Sequence, residues 1–377
     1  MISIGAVSSA SGAAGYYAND NYYTEGEGAD HSQWHWRGPE ALGLTGSVAT
    51  AAFEAVLEGR LPNGANITTP SGQEHRPGLD MAFSAPKSVS LMALVGGDER
   101  LLVAFEASVK ATLGWVERNL IEARRFDEKS GTQQPVKTGN MVAGLFTHDL
   151  SRNRDPQLHI HAVIANATQR PDGAWRALRN DPLYAQQATI AAVHNADLRA
   201  WIEALGYRTT PAHNPAYGQF EITGISRDHI MAFSTRREEI AAALEASGRG
   251  GTAAERELAA LSTRAAKDPG ISREEDRAAW AERAASIGFD PAPLREAAMA
   301  QMARGGTIWD RGLRASRVSP PEGRPLSPPW AWPRARRIHW CQRGRAGSRR
   351  RTMPQRRRSP RASGISARMR RASAALI

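Results

Sequence analysis

Cysteine is almost absent from the sequence. Cys341 is the single cysteine among 377 residues, so an internal disulfide is excluded, and such sparse usage is typical of a reducing compartment. No run of about eighteen apolar residues occurs, so no membrane-spanning helix is predicted. The segment MISIGAVSSASGAAGYY has neither the basic start nor the long apolar stretch of a signal peptide. We therefore expect a cytoplasmic protein with no membrane insertion.

Lysine and acidic residues are missing from the C-terminal segment 323–377, which holds 16 Arg. Residues 1–322 have 33 Lys and Arg against 38 Asp and Glu, so the net charge of +11 arises in the C-terminal segment. The net charge therefore gives no information about the partners of residues 1–322. The composition predicts a disordered tail over 301–377. It resembles a shifted reading frame in GC-rich DNA more closely than a basic arm that binds phosphates.

The remainder of the chain is rich enough in apolar residues, at 41% overall, to form a substantial core. Hydrophobic periodicity predicts a mixture of strands and helices, with an antiparallel sheet covered by helices, which is an α+β architecture. The predicted strands are SIGAV, LDMAFSAP, MVAGLFTHDL and LHIHAVIANAT. The predicted helices are 8–20, opened by Ser8 or Ser9 as N-cap, 87–95, 98–125, 183–206, 233–247 and 273–288.

Three histidines lie on two of the predicted strands. His159 and His161 are two residues apart, so their side chains project from the same side of a strand. If the two strands pair as a hairpin, His148 lies opposite this pair. Three imidazoles on one face form a metal site with open coordination positions, which a catalytic metal needs. The alternative is ordinary histidines with satisfied hydrogen bonds.

The N-terminal segment GYYANDNYYTEG contains two tyrosine pairs. A phenol is a poor nucleophile at its ordinary pKa near ~10, but a divalent metal that polarises a phosphate permits a covalent phosphotyrosine. The tyrosines together with a metal site indicate phosphoryl transfer to the protein itself. The alternative is that they are amphipathic packing residues. The residues are Tyr16, Tyr17, Tyr22 and Tyr23.

The order of these motifs, with LDMAFSAPKSVSL between them, resembles the MobF or TrwC-type class of conjugative relaxases over about residues 1–300. The resemblance implies a bacterial enzyme that nicks one DNA strand at a plasmid origin of transfer through a 5′-phosphotyrosine. It also implies a five-stranded antiparallel palm of the histidine-hydrophobe-histidine (HUH) endonuclease type, in which Ile160 is the hydrophobe. The predicted domain is therefore 1–300, followed by the tail 301–377.

The same resemblance assigns roles to the motif residues. Tyr16 is the expected main nucleophile and Tyr22 the nucleophile of a second strand transfer, with Tyr17 and Tyr23 as supporting groups. Asp80 is expected to orient a ligand imidazole or to accept the tyrosine proton. The expected metal ligands are His148, His159 and His161.

Basic residues near these motifs are candidates for DNA contact. Lys87 follows the LDMAFSAP strand, and Arg152 and Arg154 lie between the two histidine strands, where they could hold backbone phosphates. For each, the alternative is an ordinary surface or turn residue. Three tryptophans, each more commonly a core residue, are candidates for stacking on bases: Trp34, Trp36 and Trp175.

The resemblance implies one divalent metal ion. Mg or Mn is expected, and Zn or Ni also suits imidazole ligands. The expected partner is single-stranded DNA at the origin of transfer, with relaxosome accessory proteins and a coupling protein as further partners. Members of the class usually continue into a helicase, but no GxxxxGK[ST] phosphate loop is present, so no helicase activity is expected.

Two other functions remain open at this point. The chain could be a catalytically inactive remnant of a relaxase-helicase that still binds the origin. It could also be a three-histidine metal hydrolase of small substrates, in which a metal-bound water is the nucleophile and the tyrosines only pack. Convergence of Tyr16, Asp80, His148 and His161 on one cavity would favour the relaxase.

Overall fold

The computed structural model describes residues 1–19, 32–67, 75–213, 215–248, 252, 255, 258–259 and 272–304, and for residues 16–19 it describes the backbone alone. Tyr22 and Tyr23 lie outside the described residues. So does the predicted tail, except for 301–304, which are helical.

The strands of the described part fall into one large sheet and three small ones. Their bounds are β1 Ile2–Val7, β2 Ser32–His35, β3 Gly78–Ser84, β4 Glu122–Asp127, β5 Thr132–Lys137, β6 Ala143–Leu150, β7 Pro156–Ala165, β8 Thr168–Gln169, β9 Trp175–Arg176, β10 Leu178–Arg179, β11 Thr209–Pro211 and β12 Phe220–Ile222.

The helices of the described part follow the apolar periodicity of the sequence, and several begin at a capping side chain. Ser9 accepts a hydrogen bond from the Gly12 N–H at the start of the first helix, as predicted. Their bounds are α1 Ala10–Asn19, α2 Arg37–Ala41, α3 Thr50–Leu57, α4 Lys87–Leu94, α5 Glu99–Leu120, α6 Asp181–Ala185, α7 Gln187–Ala204, α8 Arg227–Ala232, α9 Thr235–Ala246, α10 Arg273–Ser286 and α11 Ala292–Arg304. None of these helices is both long and apolar enough to cross a membrane.

The large sheet has five strands in the order β1-β3-β7-β6-β2, and every neighbouring pair is antiparallel. The predicted α+β fold with a five-stranded antiparallel sheet is therefore confirmed. The predicted histidine hairpin is its β6–β7 pair. It lies inside the sheet, between β3 and β2, so its register is fixed from both sides.

Each face of this sheet packs against its own set of helices. On β7 the alternate residues Leu158 and Ile160 belong to a large apolar core shared with α4, α5 and α7. Val163 and Ala165 point to the other face and belong to a second core, which α1 and α3 complete. Because side chains alternate along a strand, His159 and His161 lie on this second face.

Two predicted helix boundaries are wrong. The expected helix 98–125 ends at Leu120, and the chain then forms the strand β4, which pairs with β5 and β10. The change follows Ile121, which is fully buried and extended, so pairing and burial override helical periodicity there. The expected helix 183–206 is split at Gln186 into α6 and α7.

The larger core encloses one histidine. His194 on α7 is fully buried between the rings of Phe83 and Phe105, and its Nδ1 lies 3.2 Å from the Ser108 hydroxyl. Burial, helped by the positive charge of the chain's N-terminus, lowers the pKa of His194 to about 3 from its ordinary 6.5. The ring is therefore neutral in the folded protein at physiological pH.

This buried imidazole predicts a loss of stability in acid. The unfolded chain takes up the proton near pH 6.5 and the folded chain only near pH 3, so the free energy of unfolding decreases as pH falls through that window. One such group contributes about 1.4 kcal/mol for each pH unit. Urea unfolding of His194→Gln between pH 6 and pH 4, compared with the parent, should show a pH slope shallower by about this amount. Equal slopes would contradict the assignment.

Candidate metal centre

Three imidazoles converge on the β6–β7 hairpin. His148 pairs directly with His159 across the two strands, and His161 follows two residues later on the same face. The three ring centroids are each 5.2 Å apart, so the rings form an equilateral cluster. One nitrogen from each ring lies within 4.8 Å of the other two. The hairpin thus brings together the three histidines that the sequence predicts as ligands.

A bulge beside this cluster sets the orientation of His159. The register shifts between His148 and Leu150, so that β7 has one residue more than β6 opposite Asp149. The Gln157 carbonyl at this bulge lies 2.9 Å from Nδ1 of His159. Because a carbonyl oxygen can only accept, Nδ1 donates the hydrogen and the lone pair of this ring is on Nε2.

Asp80 orients the third ring. It lies on β3, next to β7, and both of its carboxylate oxygens contact Nδ1 of His161, at 2.8 and 2.9 Å. The carboxylate accepts from Nδ1–H, so Nε2 of His161 carries the lone pair. This geometry supports the orienting role predicted for Asp80.

The donor set fits a catalytic metal. Three imidazoles from one face supply three ligands and leave further positions for water or a substrate oxygen. Two of the rings have their Nδ1–H bonded to protein oxygens, which holds the Nε2 lone pairs available for a cation. The side chain of His161 is 14% exposed, so the cluster is recessed but open to a ligand.

The first tyrosine pair lies in the helix above this face. Tyr16 and Tyr17 are in α1, whose residues Ala10, Ala13 and Ala14 are buried in the second core together with strand β7. The side chains of the two tyrosines are not among the described ones. The structure therefore brings Asp80 and the three histidines together, while the place of the phenol oxygens stays a prediction.

Two of the three basic residues predicted to contact DNA have partners within the protein. Nζ of Lys87 donates to the Pro156 carbonyl at 3.0 Å, and burial, opposed by Asp155 and Glu221, lowers the pKa of Lys87 to about 8. The guanidinium of Arg154 forms two hydrogen bonds of 2.8 Å with Asp276. Both side chains thus have contacts within the protein, and contact of either one with a phosphate stays a prediction.

Arg152 differs from its neighbours. It is half-buried in the turn between β6 and β7, and among the described residues no hydrogen bond or ion pair of its side chain is seen. It therefore remains the candidate for phosphate contact in this turn.

The positions of the tryptophans agree with a packing role, which is the alternative to stacking on bases. Trp34 and Trp175 are buried in the second core, at 8% and 6% exposure, so packing explains them without stacked bases. Trp36 is half-buried against the larger core, and its ring lies over Gly114 of α5.

The sequence alone did not reveal the contacts between the histidine hairpin and helix α10. Asp149, next to His148, forms an ion pair with Arg273, and Asp155 in the turn accepts from Arg283 at 2.9 Å. Each pair joins residues more than a hundred positions apart. No local motif indicates such a pairing.

Comparison with known proteins shows the family of this chain. Residues 10–287 match the profile of the family described as TrwC relaxase. The chain belongs to the TrwC relaxase family. It is 40% identical over 313 residues to the multifunctional conjugation protein TraI of Escherichia coli strain K12, in an alignment that covers 79% of this chain and 17% of TraI. A second Escherichia coli TraI is 39% identical over 310 residues, with the same coverage. The chain thus spans about a sixth of the length of these relatives.

Solved structures of the conjugative relaxase TrwC share the fold. The metal-bound complex of TrwC with OriT DNA is 37% identical, with a TM-score of 0.71, and the match covers 77% of this chain and all of that one. TrwC bound to a 27-mer DNA that comprises the recognition hairpin and the cleavage site is 36% identical, with a TM-score of 0.68 and the same coverage.

Proposed function

We propose that this protein nicks one DNA strand at an origin of transfer and joins the cut end to a tyrosine, thereby starting conjugative transfer. The observation that carries the proposal is the three-imidazole cluster, with ring centroids 5.2 Å apart, oriented by Asp80. Membership of the TrwC relaxase family and the TrwC complexes with OriT DNA support it. A hydrolase of small substrates has no comparable support.

The course of α1 supports Tyr16 as the nucleophile. Strand β1 ends at Val7, beside Gly78, which pairs with Ala165. Ala10, Ala13 and Ala14 of α1 are buried in the second core with Val163 and Ala165 of β7, on the face of the sheet that carries the three histidines. Tyr16 follows two residues after Ala14 in the same helix, and we infer that its phenol reaches the cluster.

The ion of this site would be held by His148, His159 and His161. When bound, a divalent ion neutralises charge on the non-bridging oxygens of the scissile phosphate. We propose Mn or Mg as the working ion, and imidazole ligands also suit Zn and Ni. Asp80 would keep His161 in the tautomer that binds the ion, because its carboxylate holds the Nδ1 proton.

The proposed reaction is a transesterification. The phenolic oxygen of Tyr16 forms a bond to phosphorus as the bond from phosphorus to the 3′ oxygen breaks, in line. The tyrosine gives up its proton and the departing 3′ oxygen gains one, so the products are a 5′-phosphotyrosine and a free 3′-hydroxyl. Water takes no part, so the energy of the phosphodiester bond is conserved in the phosphotyrosine bond. Attack of the 3′-hydroxyl on the phosphotyrosine then reseals the strand. Tyr22 would serve a second transfer, with Tyr17 and Tyr23 as supporting groups.

The domain organisation and partners are part of the proposal. We propose that residues 1–300 form the relaxase domain and that 301–377 form a tail, whose first residues, 301–304, complete helix α11. Single-stranded DNA at the origin of transfer is the proposed substrate, and relaxosome proteins and a coupling protein are proposed partners in the bacterial cytoplasm.

Cleavage of labelled oligonucleotides tests the function. The full chain is incubated with Mn²⁺ and single-stranded oligonucleotides that tile the origin of transfer of the element carrying its gene. Denaturing gels should show one cut site on one strand and a slowly migrating species that protease removes. Binding without any cut product in Mn²⁺ or Mg²⁺ would instead support the inactive origin-binding remnant.

Arg152 is expected to contribute to DNA affinity. Arg152→Ala should weaken binding of a cognate oligonucleotide by about tenfold and reduce the salt slope of log K by about one, as the loss of one phosphate contact does. Fluorescence anisotropy at several salt concentrations measures both quantities. Arg199→Ala is the matched control, because Arg199 forms an exposed ion pair with Glu203 on α7. Equal slopes for the two variants would exclude the contact.

A further inference from the structure

One face of helix α10 holds the hairpin that bears the three histidines. Its contacts with the hairpin are made by residues spaced three or four apart, which lie along one side of a helix. Within the described chain this α10 face consists of Arg273, Asp276, Trp280 and Arg283.

The tip of the hairpin is fixed by a bidentate ion pair between Arg154 and Asp276. Nε and Nη2 of Arg154 each donate to Asp276 at 2.8 Å, and Asp276 is almost fully buried. The Trp280 indole N–H donates to the Arg154 carbonyl at 2.8 Å. Arg154 has a φ of 59°, which a side-chain-bearing residue adopts at a cost. The α10 face therefore holds both the side chain and the strained backbone of this turn.

The base of the turn is fixed in the same way. Asp155 is buried, and its carboxylate accepts from Arg283 at 2.9 Å and from the N–H and hydroxyl of Thr235 at 2.9 and 3.0 Å. Two helices, α9 and α10, thus hold this one side chain. The contacts leave little freedom for the turn to move relative to the helices.

The contact nearest to the metal cluster is the ion pair between Asp149 and Arg273. Asp149 follows His148 directly and lies opposite the bulge whose Gln157 carbonyl orients His159. Both partners are recessed, with side chains 5% and 14% exposed. A movement of Asp149 would therefore displace His148, its neighbour in the chain. It would also disturb the bulge that orients His159, so two of the three rings would be affected.

We propose that the α10 face is a positioning element of the metal centre, and that Arg273, acting through Asp149, sets the geometry and the metal affinity of the three-histidine cluster. The inference deepens the proposed function, because it concerns the same site. Arg273 and Asp276 are positioning residues, since ion pairs join them to the hairpin residues Asp149 and Arg154. Outer residues that orient metal ligands typically change metal affinity by about 10- to 100-fold.

Cobalt binding to the full chain tests this role without DNA. Co²⁺ is titrated into the metal-free protein, and the visible absorption of the bound ion gives both the Kd and the coordination geometry. Arg273→Ala and Asp276→Asn should bind Co²⁺ about 10- to 100-fold more weakly than the parent, with an altered spectrum. Arg273→Lys, which keeps the charge, should recover a substantial part of the affinity.

Two controls separate positioning from simple loss of stability. Ile202→Ala removes a fully buried side chain of α7, so it should lower the melting temperature yet keep the Co²⁺ Kd within twofold. Arg199→Ala breaks an exposed ion pair on the same helix and should change neither quantity. Circular dichroism at the assay temperature confirms that each variant is folded.

Unchanged Co²⁺ affinity and spectrum in folded Arg273→Ala and Asp276→Asn would overturn the inference. If Arg273→Ala does not fold, the Kd and spectrum of Asp276→Asn decide alone. A parent that binds Co²⁺ but never cuts DNA would refute the proposed function and leave the role of the α10 face to be judged from these Kd values.

Discussion

Tyr16→Phe is expected to lose DNA cleavage by at least about a thousandfold while keeping its affinity for single-stranded DNA. The change removes one oxygen, which the proposed reaction joins to phosphorus, and leaves the charge of the protein as it was. A thousandfold loss corresponds to about 4 kcal/mol of activation free energy. Single-turnover cleavage of a labelled oligonucleotide, with anisotropy for binding, measures both effects.

Tyr17→Phe is the matched control for this change, because it makes the same alteration one residue further along α1. It should lose less than about tenfold in rate if Tyr17 only supports the reaction. If Tyr17→Phe abolished cleavage and Tyr16→Phe did not, the nucleophile would be the other member of the pair. Full activity in both variants and in the double variant would refute a nucleophile in α1.

His161→Ala is expected to weaken metal binding by about a thousandfold and to abolish cleavage at low metal concentration. It removes one of three imidazole ligands and also leaves the Asp80 carboxylate without the Nδ1–H that it accepts. Titration with Mn²⁺ or Co²⁺ measures the affinity. Excess metal should restore part of the cleavage, since the nucleophile is intact.

Asp80→Asn tests the orienting contact alone, because the ligand His161 stays in place. The amide still contacts His161 but no longer favours its Nδ1–H tautomer, so a smaller loss of metal affinity, about 10- to 100-fold, is expected. Replacement of His194 by Gln serves as a control, because that buried histidine lies in the larger core, on the other face of the sheet. Equal metal affinity in His161→Ala and the parent would exclude the cluster as the metal site.

The sequence predicts the part of the site whose residues lie close together along the chain. Two-residue alternation places His159 and His161 on one face, and a short connection places His148 opposite them, so the hairpin follows from spacing alone. The contact between Asp80 and His161 joins residues 81 positions apart. Spacing could not predict it, and only the resemblance to a known family did.

The features that the sequence does not predict depend on contacts between distant parts of the chain. The helical pattern of 98–125 continues past Leu120, but Ile121 is buried and the chain beyond it pairs as β4. Lys87 and Arg154 each have a partner within the protein that the sequence does not indicate. In each case a tertiary contact outweighs a local preference, and tertiary contacts are what a single sequence does not display.

The most direct test of the proposed reaction is to identify the residue that becomes joined to DNA. The full chain is incubated with Mn²⁺ and a cleavable origin oligonucleotide, the covalent product is digested with protease, and the modified peptide is sequenced by mass spectrometry. A nucleotide on Tyr16 is expected, formed by the parent but not by His161→Ala at low metal concentration. A nucleotide on a residue outside the two tyrosine pairs, or cleavage with no covalent product at all, would contradict it.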